Sequence, residues 1–259
     1  FRKNKKYCVF PENTLGWDNY WDDLENKIDN GLEIEGVRVT GRHFFLMNFG
    51  RFRVIPVDEH GNQISKQKKW DFLRFLDHQY YMMMELEECL LEGPYRSWSE
   101  YHKWFPINKH EEYDDITLEN FVLSKGRRKG WTAQIAIGIF NYNFTFVESS
   151  MNILAAYEKS HYSPMLKAIH TTKSFLDKNT PWIRRTEVKG SYENFKASVE
   201  TTNSYGVKIE EGYLSEIVAA SFKDNAFKTI GECFSPEQTE QNSRLIFHLH
   251  VIGVRTLIY

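Results

Sequence analysis

Asn120-Phe121-Val122-Leu123-Ser124-Lys125-Gly126-Arg127-Arg128-Lys129-Gly130-Trp131-Thr132 runs from a short apolar segment through a basic loop with two glycines. It leads into Thr132 to Phe144, where Ile135, Ile139 and Phe140 fall on one helical face. Strand, glycine-containing basic loop and helix, in that order, are what a phosphate-binding loop requires. Such a loop points backbone N–H groups into a concavity at a helix N-terminus. It adds a cation for the β- and γ-phosphates and a hydroxyl for Mg²⁺. The usual pattern is G-x-x-x-x-G-K-[ST]. Aligned on Gly130 and Thr132, it puts Lys125 at the first glycine and Trp131 at the lysine, so two of four signature positions differ. The chemistry stays satisfiable. Gly126 and Gly130 supply backbone freedom, Thr132 sits where the metal-binding hydroxyl belongs, and Arg127, Arg128 and Lys129 offer cations from upstream. Trp131 then packs away from the phosphate. Taken alone, the same string also reads as a solvated basic turn, or as a patch for nucleic-acid phosphate.

The rest of the chain bounds these readings. Its 259 residues, 41% apolar, are enough for one large domain or two small ones. The net charge of -2, from 33 basic and 35 acidic side chains, disfavours tight static binding of DNA. Cys8, Cys89 and Cys233 lie far apart with no metal spacing, which suits a reducing compartment. No apolar run approaches the roughly 20 residues a bilayer span needs. Asn143-Phe144-Thr145 matches a glycosylation sequon without an accompanying secretion signal.

Periodicity gives a coarse map. Residues 1 to about 30 suggest an amphipathic helical lead-in, and Gly36 to Val57 read as strands, with Asp58 to Asn62 as a turn. Trp70 to Leu91 has helical spacing, with the methionines 82 to 84 as core. Met151 to Ala168 reads as a helix, Tyr192 to Thr201 as a weaker one, and Leu214 to Phe222 as a buried strand. Residues 95 to 116 read as a solvated insert, and Arg244 to Tyr259 as two apolar runs split at Gly253. His43, His248 and His250 read as satisfied structural histidines, with no third ligand for a metal nearby.

Several stretches together resemble the large terminase subunit of tailed phages, in particular the crAss-like branch, over roughly residues 28 to 231. Arg127-Arg128-Lys129-Gly130-Trp131-Thr132 fits that family's deviant loop, R-R-K-G-x-[ST]. Glu35-Gly36-Val37 with Gly41-Arg42-His43-Phe44-Phe45-Leu46-Met47-Asn48-Phe49 is similar to its upstream G-x-H-Y-F-Y-L-N-F region. Trp70 to Tyr80 is similar to the segment that holds adenine. Phe175 to Trp182, and Ser215 to Val218 followed by Phe222 to Asn225, resemble later segments. The resemblance implies an α/β, P-loop NTPase-type fold: a parallel sheet with flanking helices, preceded by a small N-terminal subdomain. The division expected is 1–116 for that subdomain and 117–259 for an incomplete P-loop core.

It implies ATP and Mg²⁺ as cofactors and hydrolysis coupled to DNA translocation into a procapsid. Gly126, Arg127, Arg128, Lys129, Gly130, Trp131 and Thr132 would hold phosphate, and Thr132 the metal. Gln79 and Asp77 would hold the adenine edge, with Phe72 or Phe75 stacked on it. The partners implied are double-stranded viral DNA, the portal protein, a small terminase subunit and further copies of the chain on the portal, in the host cytoplasm and with no membrane. The chain departs from the family after Gly231. Cys233 to Gly253 matches nothing in it, and Val254 to Tyr259 has no Asp-Glu after it, so the catalytic glutamate and nuclease part are missing and little turnover is expected. A helicase-like ATPase, a nucleotide kinase and a non-enzymatic nucleic-acid-binding module remain as alternatives.

Overall fold

The computed structural model describes residues 1, 4–58, 60, 62–89, 130–184, 186, 190–221, 223 and 247–252, with backbone alone for 86–89 and 247–252. Arg127, Arg128 and Lys129, with Gly126, lie outside the described residues, as do the insert at 95–116, the strand expected at 120–124 and the chain beyond 252. The chain forms two compact units: residues 1–7, 48–73 and 132–259 make one, residues 8–47 and 74–131 the other. The architecture is mixed α and β, with three small sheets among the described residues.

The second unit starts with helix α1, Leu15–Asn30. Thr14 caps it, its hydroxyl accepting from the Trp17 amide at 3.3 Å. Trp21, Leu24 and Ile28 form its buried stripe, and Lys27 pairs with Asp23 one turn back. Strands β1 (Leu32–Ile34) and β2 (Val37–Val39) pair antiparallel across Glu35-Gly36. Both turn residues have positive φ, 51° and 80°, which matches the twist of a two-residue hairpin.

Gly41–Phe49, expected as strand, is helix α2. The residues decide this locally. Thr40 sits at the helix entry with its hydroxyl accepting from the His43 amide at 3.1 Å. Phe45, Leu46 and Phe49, all buried, repeat at helical and not alternating spacing. Gly41 is required by packing, because a Cβ there would lie inside the carbonyl of Ile28 on α1.

In the first unit, β3 (Arg51–Val54) pairs antiparallel with β4 (Lys69–Phe72). The Asp58 carboxylate closes the turn between them, accepting from the amides of His60 and Asn62. The helix expected from Trp70 begins only at Asp77, so α3 is Asp77–Cys89. Trp70 and Phe72 stand on β4. Phe72 joins Phe1 and Phe175, with the Arg51 guanidinium 4.5 Å from the Phe72 ring centroid.

Residues 131–146 form one helical run, α4. Trp131–Ala133 is α-helical, Gln134–Asn141 is π-helical and Tyr142–Phe146 returns to α. Strand β5, Met151–Ala156, comes next, where a helix was expected. It is buried along its whole length and pairs in parallel with β7 on one side and β8 on the other. A strand flanked in this way shows no polar alternation, so Met-Asn-Ile-Leu-Ala-Ala mimics a buried helix. Helix α5, Lys159–Asn179, follows. Tyr192 to Thr201, expected as weakly helical, contains β6 (Asn194–Thr202). It returns antiparallel into the long β7 (Lys208–Ser221), with β8 at Phe247–Ile252. The sheet order is β6-β7-β5-β8, so the sheet is mixed: three parallel strands and one antiparallel edge.

A buried polar chain ties α4 to this sheet. Asn143 donates to Asn152 on β5 at 2.9 Å, Asn152 donates to Ser150 and to the Glu216 carbonyl, and Ser150 donates to the Asn143 carbonyl. Asn143, the sequon asparagine, is fully buried in this network. Replacing Asn143→Ala strands the Asn152 carbonyl oxygen and is expected to destabilise the chain by about 1–3 kcal/mol in urea titration. Gly41→Ala forces α1 and α2 apart and is expected to cost about 1–3 kcal/mol in the same measurement.

Candidate functional site

Most of the candidate residues lie in the second unit, around the start of α3, and Thr132 belongs to the first. The stretch Leu73 to Leu76 carries no regular structure, and Leu76 then acts as the helix entry, its carbonyl accepting from the amides of Gln79 and Tyr80. The first residue of α3, Asp77, is exposed, and its charge suits a helix N-terminus. Gln79 faces the other way and is 1% exposed. The two residues expected to hold one base edge are therefore separated: Gln79 is inside and Asp77 is in solvent.

Gln79 meets the glycine that closes the basic loop. Gly130 has φ +75°, and a Cβ there would run into the Gln79 amide nitrogen. The left-handed backbone is what favours glycine here, and a side chain would also have to push aside the end of the Gln79 side chain. Two regions chosen separately in the sequence, some fifty residues apart, thus touch. The tryptophan at the lysine position, Trp131, is buried, and its indole N–H makes no hydrogen bond. Thr132 is exposed in the first turn of α4. A buried Trp131 beside an exposed Thr132 leaves the hydroxyl, not the indole, open to a ligand.

Of the two rings expected to stack on a base, Phe72 belongs to the aromatic cluster of the other unit and is 6% exposed. Phe75 is 49% exposed and lies against His43, with ring centroids 5.0 Å apart and planes inclined by 18°. Tyr80 flanks both rings and donates its hydroxyl to the Arg38 carbonyl at 2.8 Å.

His43 was expected as a satisfied structural histidine. It is completely buried, yet neither ring nitrogen has a hydrogen-bond partner. Desolvation pushes its pKa down from 6.5 to about 4, so the ring is neutral at physiological pH. The sequence signal was available: a histidine inside an aromatic run, with no nearby side chain of complementary chemistry. Among the described residues no group of three or more His, Cys, Asp or Glu side chains is placed to hold a metal ion. No helix among them is long and apolar enough to cross a membrane.

Two outcomes follow. Gly130→Ala strains the backbone and displaces the Gln79 amide, costing about 1–3 kcal/mol in thermal or urea unfolding. The His43 imidazole binds its proton more readily in the unfolded chain, at 6.5, than in the folded one, at about 4. Its contribution is complete above pH 6.5 and is lost as the pH falls through that window, to a total of about 3 kcal/mol. A plot of unfolding free energy against pH should therefore flatten between 6.5 and 4 in His43→Phe relative to wild type. An unchanged slope would show that His43 does not titrate in this way.

No family model matches the chain, and no curated protein or solved structure matches it either.

Proposed function

We propose that the chain is the nucleotide-binding part of a viral large terminase, a P-loop NTPase-type motor that couples ATP hydrolysis to the movement of double-stranded DNA into a procapsid. The observation that carries this reading is the contact between Gln79 and Gly130. It brings the segment that resembles the family's adenine side against the last glycine of the loop that resembles its phosphate side.

In this reading the triphosphate lies over Gly126 to Gly130, and Arg127, Arg128 and Lys129 neutralise it. Mg²⁺ takes the hydroxyl of Thr132, which is exposed at the start of α4. The base lies by Gln79 and Phe75, the buried amide and the half-exposed ring. The parallel arrangement of β7, β5 and β8 supports an α/β nucleotide fold, since ligands of such sheets bind beyond the strand ends. Catalysis in such a motor consists of positioning and charge stabilisation. Its partners would be the portal ring, a small terminase subunit, viral DNA and further copies of itself, in the host cytoplasm.

Titration calorimetry of the whole chain with Mg²⁺-ATP tests this. Saturable binding is expected. Replacing Arg127, Arg128 and Lys129 together by alanine should weaken it at least about tenfold, because charge-assisted phosphate contacts are lost. Thr132→Ala should remove the Mg²⁺-dependent part of the affinity. Absence of ATP binding, together with strongly salt-dependent DNA binding through the same cations, would replace the motor by a nucleic-acid-binding module.

A further inference from the structure

Gln79 stands in the first turn of α3 and is 1% exposed, so no edge of its amide is open to a base. What the side chain meets is Gly130. A Cβ on that glycine would run into the Gln79 amide nitrogen, so the end of the side chain occupies the space that any other residue at 130 would need. Gly130 closes the basic loop, has φ +75° and lies in the same unit as Gln79. Glycine leaves such a conformation easily, because both signs of φ are open to it. A glycine left to itself would then be fixed only when a ligand binds, at a cost to affinity. A buried side chain against it removes the conformations that turn a peptide group into the occupied space. The last peptide of the loop is thereby set on folding, before any phosphate arrives.

We propose that Gln79 is a positioning residue for the phosphate loop: its buried side-chain end walls Gly130 into the left-handed conformation in which the loop receives phosphate. This rests on the nucleotide-binding reading above and changes one role in it, since Gln79 then serves the loop backbone and not the edge of the base. Its effect reaches any ligand that carries the phosphates, with or without a base attached.

The test is calorimetric titration of the full chain with Mg²⁺-ATP and, separately, with Mg²⁺-tripolyphosphate, which lacks a base. The wild type binds both. In Gln79→Ala, which empties the space beside Gly130, both affinities fall by one common factor, about fivefold or more, the cost of fixing one backbone residue on binding. Gln79→Met refills the space without an amide and restores most of both affinities. Gln79→Asn, one methylene shorter, withdraws the amide from Gly130 and serves with the same expected loss if Gln79→Ala does not fold by circular dichroism. Loss of ATP affinity alone makes Gln79 a base contact and overturns the positioning role while leaving the phosphate site standing. Unchanged affinities in a folded Gln79→Ala, whatever its unfolding temperature, overturn it too. A loss in Gln79→Met as large as in Gln79→Ala overturns the wall. A wild type that binds neither ligand overturns the nucleotide reading together with this role.

Discussion

The contact of a buried amide with a glycine backbone carries most of what this chain reveals. Gln79 rests where Gly130 has no side chain, and Gly130 holds a φ of +75° that other residues reach only at a cost. Gln79 and Gly130 both belong to the second unit. The same unit holds a half-open ring at Phe75 stacked on a buried imidazole at His43. Each has ordinary chemistry taken singly. The stacking places one polar ring among aromatic ones.

Buried polar groups are satisfied to different degrees along the chain. Beneath the four-stranded sheet, Asn143, Ser150, Asn152 and Ser215 are satisfied by each other and by main-chain carbonyls. Such a closed network fixes one packing and penalises others. In the second unit, His43 is left open. Trp131 in the same unit and Ser198 in the first also keep a buried polar atom without a partner.

The sequence was most legible where local chemistry and pattern agreed. Thr14, Trp21, Leu24 and Ile28 mark α1 with a cap and a stripe, and Asp58 announces its turn. Legibility failed where tertiary burial removed the pattern. Strand β5 has a parallel neighbour on each side, so nothing in Met-Asn-Ile-Leu-Ala-Ala alternates. Helix α2 sits in a run of aromatics that suits strands by propensity, but the threonine before it and the close approach of Gly41 to α1 settle it as helix. At the site, Gly130 and Thr132 were visible from spacing. Their meeting with Gln79 was not, because no local rule connects residues fifty positions apart. His43 reads as satisfied because an isolated histidine usually is, although its aromatic neighbours offered a signal to the contrary.

The π-helical stretch of α4 adds a mechanical property to the same region. A run with i to i+5 bonding accommodates a residue that an α-helix of equal length would have to expel. The segment from Gln134 to Asn141 is therefore wound more widely than the α-helical turns on either side of it. The bonds of Asn143 to Asn152 and Ser150 then fix the register in which the run returns to α-helix.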